Sequence, residues 1–252
     1  MPERRHGPTT PPRPTGPRRP RAADLLAPAF RTALWRVYDH LGLLVVLNLI
    51  WLVLLVPVVT APAATAALFD VARRLARRET VSAATYFRSF RRLFPSAFIL
   101  GLFSAFTAFV LWLAVDFYSH LGGAMRYPGF LLAALLVWLG VFVALMHAHL
   151  FPVLVHGDRR LPVVLKKSAL LTLDNLAFSL GILVQTAALA ALCVVTGAGL
   201  VLIGGSLIAV LLVSGHRELL RKYRPDDPSL EEVKETRTWR DLWRPWESRA
   251  RG

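Results

Sequence analysis

The chain has 252 residues, of which 55% are hydrophobic, and it sets 30 Lys and Arg against 16 Asp and Glu for a formal net charge of +14. A mean hydropathy of +0.48 excludes an ordinary soluble domain. The high charge raises nucleic-acid binding as a competitor, but the basic residues flank apolar runs instead of forming one face of a soluble fold, so no nucleic-acid partner is expected.

Residues 1–21 are mostly Pro, Arg, Gly and Thr, the composition of a disordered basic arm. Arg18-Arg19 lies too far from the first apolar residues, near Leu41, to be a twin-arginine export signal, and no cleavable signal is expected. Next, Leu26, Phe30, Ala33, Leu34 and Val37 fall on one stripe of a helix over 25–38.

A crossing helix needs about 20 apolar residues. Windows 41–59, 96–118 and 130–155 qualify, with Asp116 near the outer end of the second. The uncharged run 176–214 is twice the needed length, and Thr196-Gly197-Ala198-Gly199 is a natural turn, giving spans at 176–195 and 199–214. The expected fold is an all-α integral membrane domain over 22–216 with about five spans, then a basic tail over 217–252.

Lys and Arg number 8 before the first span, 7 in 60–95, 1 in 119–129, 4 in 156–175 and 10 after 214. Basic segments stay on the cytoplasmic side. That puts 60–95, 156–175 and the C-terminus inside, in a bacterial inner membrane. The N-terminus resists the rule. A single crossing of 41–59 would leave 8 basic residues outside; a chain that enters over 41–57 and returns over 62–72 would satisfy the rule, but its return limb is short. Span length favours a single crossing with Pro57 and Pro62 as a hinge, and the charge bias favours the return.

Basic residues also pattern on helical faces. Arg73, Arg74, Arg77 and Arg78 oppose Leu68, Val71, Ala72 and Leu75; Arg88, Arg91 and Arg92 oppose Tyr86, Phe87, Phe90, Leu93 and Phe94. With Lys166 and Lys167 these are expected on amphipathic helices lying on the inner membrane surface, attracted by anionic lipids or docked on an acidic partner. In the tail, Trp239, Trp243 and Trp246 share a stripe that would anchor at the interface or bind a partner. A weak repeat, Ala97-Phe98-x-Leu100-Gly101 against Ala177-Phe178-x-Leu180-Gly181, with Pro57 and Pro152 closing the preceding spans, hints at a duplicated unit and favours the single crossing.

Candidate chemistry is sparse. His147, His149 and His156 cluster near one span end without carboxylate or thiol ligands at metal spacing, so they are read as bundle-facing or interfacial. Asn48 and Gln185 lie within spans and are read as interhelical bonds, with a solute contact as the functional alternative. Gly140, Ala144 and Ala148, Gly101 with Ala105, and Gly205 with Ala209 form small-residue ridges for close helix packing. Cys193, the single cysteine, is expected as a buried small hydrophobe. No phosphate-binding loop, HExxH or GxSxG motif occurs, so neither catalysis nor a cofactor nor a metal is expected.

Asn48-Leu49-Ile50-Trp51-Leu52, Pro57-Val58-Val59-Thr60 and Pro62 through Phe69 resemble the YesL family of small bacterial multi-pass membrane proteins, with further matches at Phe87-Arg88-Ser89-Phe90 and Leu150-Phe151-Pro152. The likeness covers roughly 24 to 224, leaving out the arginine-proline arm and Trp-rich tail. It implies a helical inner-membrane protein of unknown function, often encoded beside carbohydrate ABC transporters, with no catalytic residues to carry over. The resulting expectation is a non-enzymatic accessory or scaffold of a membrane complex such as a carbohydrate importer, binding permease subunits or itself; the alternative is a small-solute transporter or channel.

Overall fold

The computed structural model describes residues 22–157, 160–224, 227 and 230. The basic arm over 1–21 and the stripe of Trp239, Trp243 and Trp246 lie outside the described residues.

Those residues form eight α-helices and no strands: α1 (Ala22–Asp39), α2 (Leu41–Leu55), α3 (Ala61–Ala76), α4 (Ala83–Ser119), α5 (Arg126–His156), α6 (Leu161–Asp174), α7 (Leu176–Thr196) and α8 (Gly205–Tyr223). Four of them are long and apolar enough to cross a membrane: α4, α5, α7 and a span from Val201 through α8. A fifth crossing exists only if α1 and α2, bent by 92° at His40, are taken as one broken span. The chain is built as a helical membrane protein.

The first apolar segment does not cross as one straight helix. Helix α2 has 15 residues, about 22 Å at 1.5 Å per residue, against about 30 Å of hydrocarbon. Pro57 ends it, and a single turn of Val58–Thr60 leads to α3, with Pro62 in the first turn. The Thr60 hydroxyl donates to Leu54 O and to Pro57 O, holding the corner. Trp51 Nε1 then donates to Thr65 Oγ1 at 3.2 Å. In one continuous helix, residues 14 apart would sit about 21 Å from each other, so the chain reverses between α2 and α3. The expected single crossing with a Pro57–Pro62 hinge is thereby replaced by a helical hairpin. Pro152, also expected as a hinge, lies inside an uninterrupted α5.

Helix α3 is the centre of the molecule, not a helix on a membrane surface. Ala63, Ala64, Ala66, Ala67, Leu68, Phe69, Val71 and Ala72 are all buried, against α4, α8, α5 and α2. Its run of alanines makes this possible, because small side chains let helices approach closely. Gly101 of α4 serves the same end: a Cβ there would overlap the Pro62 ring. The expected surface helix over 86–94 is instead the first half of α4, which continues through Pro95 without a break. Helix α1 packs its stripe onto α8, where Arg36 Nη1 donates to Ser214 Oγ at 2.9 Å.

Gly197, at φ +58°, turns α7 toward a five-residue π-helical stretch, Leu200–Gly204, that opens α8. Helix α8 then runs past His216 to Tyr223, so the described fold extends beyond the expected boundary at 216. Its end is tied down by Lys222 Nζ on Asn175 Oδ1 at 2.6 Å, and by the Tyr223 hydroxyl on Asp174.

Burial is uneven along the bundle. The buried residues of α4 end at Leu100, and those of α5 are Gly129 and Ala133, then nothing before Leu145. Between these limits α4 and α5 form a two-helix paddle that exposes Phe103, Phe106, Phe109, Trp112, Phe130 and Trp138.

Candidate functional site

The reversal at Pro57 gathers charge at one end of the bundle. Asp70 of α3 is 1% exposed and is the focus. Arg73, one turn on, donates to its Oδ1 from Nη2 at 2.6 Å and from Nε at 3.1 Å. Arg74 Nε reaches Oδ2 at 3.2 Å, Arg92 Nη2 of α4 reaches it at 2.8 Å, and the buried Ser89 hydroxyl donates to it at 2.6 Å. A buried carboxylate is tolerable only when paired and hydrogen-bonded. Helix α3 is not one of the spanning helices, and there burial pushes the Asp70 pKa up, while the bonds from Ser89, Arg73 and Arg74 outweigh it and hold the carboxyl below its ordinary value.

Beside this network lies a cleft of about 310 Å³ lined by Arg74, Thr80, Thr85, Arg88, Ser89 and Arg92. Thr85, Arg88, Ser89 and Arg92 stand at i, i+3, i+4 and i+7 on the first three turns of α4, hence on one stripe. Ser82 caps that helix by accepting from Thr85 N at 3.4 Å. Arg74 and Thr80 come from the end of α3 and the connection after it. Arg74 is also braced by Glu79, Nη1 to Oε2 at 2.9 Å. This connection holds a strained residue: Arg78 sits at φ +57°, while Glu79 N bonds Arg74 O and Arg78 N bonds Leu75 O, a closing motif that glycine usually fills.

The expected lipid-surface arginines therefore divide. Arg73, Arg74 and Arg92 converge on Asp70, Arg88 faces the cleft, and Arg91 does not line it. Lys166 and Lys167 are exposed on α6. Asp70 escaped the sequence reading, although an acid three and four residues before Arg73 and Arg74 is a helical ion-pair signal. Ser89 and Thr85 carried none.

A second polar group lies near the same end. His149 is buried and hydrogen-bonded to Ser179 Oγ at 2.8 Å, and His156 Nδ1 donates to Pro152 O at 2.8 Å. His216 joins them, its ring 5.0 Å from His156 and 6.4 Å from His149. Its Nδ1 is buried without a hydrogen-bond partner. His147 bonds Val143 O on its own helix and is not part of this group. Among the described residues no three His, Cys, Asp or Glu side chains converge as metal ligands.

Asn48 has a structural task. Its Nδ2 donates to Val201 O at 2.7 Å and its Oδ1 accepts from Ser206 N at 3.2 Å, so one buried amide satisfies both sides of the π-helical stretch. Ser206 Oγ completes the seam on Leu44 O at 2.9 Å. Gln185 is half-buried on α7, with Oε1 lacking a partner. Asn48 and Gln185 are in no common site, and Cys193 is buried.

A family model described as a protein of unknown function, DUF624, matches residues 44–117. That stretch covers most of α2, all of α3 and nearly all of α4, and so contains the reversal at Pro57, the Asp70 network and every residue lining the cleft. To that extent the chain is similar to the family. No curated protein and no solved structure matches it.

Proposed function

We propose that the chain is a non-enzymatic accessory or scaffold of a membrane complex, and, on the resemblance to the YesL family, that the complex is a carbohydrate importer of the ABC type. The observation that supports this reading is the paddle of α4 and α5. Only 6% of the most apolar stretch of α4 is buried, and it presents Phe103, Phe106, Phe109 and Trp112 among aliphatic residues. A two-helix arm standing clear of its own core is suited to lie against the spans of another membrane protein, where large rings fill gaps between helices. The same reading puts the basic end in the cytoplasm of a bacterial inner membrane, with the C-terminus there.

A carrier reading is weaker, because Asn48 is occupied by the backbone of Val201 and Ser206 and shares no site with Gln185. The test is tagged purification in mild detergent from the native host with mass spectrometry, run beside a Phe106→Ala/Trp138→Ala paddle variant. Stoichiometric transporter subunits with the parent and their loss with the variant support the proposal. Recovery of the parent alone overturns it and directs attention to flux assays in liposomes.

A further inference from the structure

We infer that the cleft between the end of α3 and the start of α4 is a binding site for a phosphate group, recognised through Arg74, Arg88 and Arg92.

The cleft is lined entirely by residues with polar side chains, three arginines and three hydroxyl residues. Asp70 and Glu79 are the acids paired with this group, against Arg73, Arg74, Arg88 and Arg92. The arginines outnumber the two acids, so the site carries net positive charge and suits an anion. Asp70 does not neutralise the site. It lies behind the arginines and fixes Arg74 and Arg92, leaving most of their N–H groups for an acceptor in front. Each guanidinium carries five donors in a planar fork that suits phosphate oxygens; Arg74 uses Nε and Nη1 on protein, and Arg92 uses Nη2. Arg88 makes no hydrogen bond or ion pair within the described structure.

The hydroxyls divide in a chemically meaningful way. Ser89 gives its proton to Asp70, so it orients the carboxylate and has none left for a phosphate. Thr80 and Thr85 can donate, the latter from the first turn of a 37-residue helix whose N-terminal dipole favours an anion. The ligand is a phosphate ester by this chemistry, and two sources supply one beside a membrane: a lipid headgroup or a soluble phosphorylated solute.

The experiment is native mass spectrometry of the full chain in a delipidating detergent. One titration uses short-chain phosphatidic acid with phosphatidylcholine as the uncharged-headgroup control; the other uses glycerol 3-phosphate with glycerol as control. Arg88→Gln is the informative variant, since Arg88 has no hydrogen-bond or ion-pair partner among the described residues, and Arg91→Gln removes the same charge outside the cleft. Arg88→Gln should weaken binding of the phosphate probe about tenfold or more, the value of a lost charge-assisted bond, with Arg91→Gln changing it less than about twofold. Saturable, Arg88-dependent binding of phosphatidic acid alone identifies a lipid headgroup site; binding of glycerol 3-phosphate that displaces the lipid identifies a soluble ester. Equal losses from both variants mean diffuse surface attraction and overturn the inference, as does saturable binding of neither probe.

Discussion

Replacing Asp70 with Asn tests how the basic end is held together. The substitution keeps size and one acceptor but removes the charge and turns an NH2 toward guanidinium groups. The Ser89 hydroxyl, 2% exposed, loses its charged acceptor, worth about 1–2 kcal/mol. The three guanidiniums are 13%, 26% and 41% exposed, so solvent screens them, and each contributes no more than about 0.5 kcal/mol. The sum is about 3 kcal/mol, or roughly 6–12 °C in Tm for a chain of this size. Thermal unfolding in detergent at neutral pH measures it. The pH dependence adds a signature. A carboxyl whose folded pKa lies below its unfolded value near 3.8 stabilises at all higher pH and loses that contribution as the pH falls through the folded value. The gap between parent and Asp70→Asn should therefore close in acid below that range. Equal Tm at neutral pH, or a gap that widens in acid, would refute the reasoning.

Four further outcomes are expected. Asn48→Leu leaves Val201 O and Ser206 N without their side-chain partners and should cost about 1–3 kcal/mol, read as a lower unfolding midpoint; an unchanged midpoint would remove its role as a seam. Gly101→Val forces the Pro62 ring away and should destabilise by about 1–3 kcal/mol, whereas Gly140→Val, in open space, should express and melt much like the parent. Arg78→Gly relieves a left-handed arginine and should raise stability by about 1 kcal/mol; a fall would mean the Arg78 side chain matters more than its backbone. Topology follows from the reversal at Pro57: in a Cys193→Ala background, tags at the two chain ends should report one side of the membrane and a thiol label at Gly122→Cys the other. Tags on opposite sides would restore the single crossing.

Much of this was legible in the chain. Hydropathy alone marked α4, α5, α7 and α8, because in hydrocarbon every backbone bond must be satisfied within a helix and only long apolar runs can do this. Gly197 marked the turn after α7 because a positive φ is easy for glycine. The charge bias pointed to a return after Pro57, and the structure agrees with it over span length.

Of the apolar stripes read over 68–78 and 86–94, Leu68, Val71, Ala72, Leu75, Tyr86 and Leu93 are buried and Phe87 is exposed; a helical stripe does not say whether lipid or protein will cover it. For α3 the answer came from the alanines, which let α4 and α8 close around it. The sequence by itself determined a membrane class, four of the five expected spans and a concentration of positive charge. Only the tertiary structure decided that Asp70 sits among Arg73, Arg74 and Arg92, that His216 joins His149 and His156, and that α4 meets α3 around a basic cleft. Arg73 and Arg74 lie within one helical turn of Asp70, but Arg92 is 22 positions from it and His216 is 67 from His149; what brings these together is the packing of helices against one another, which no local pattern encodes.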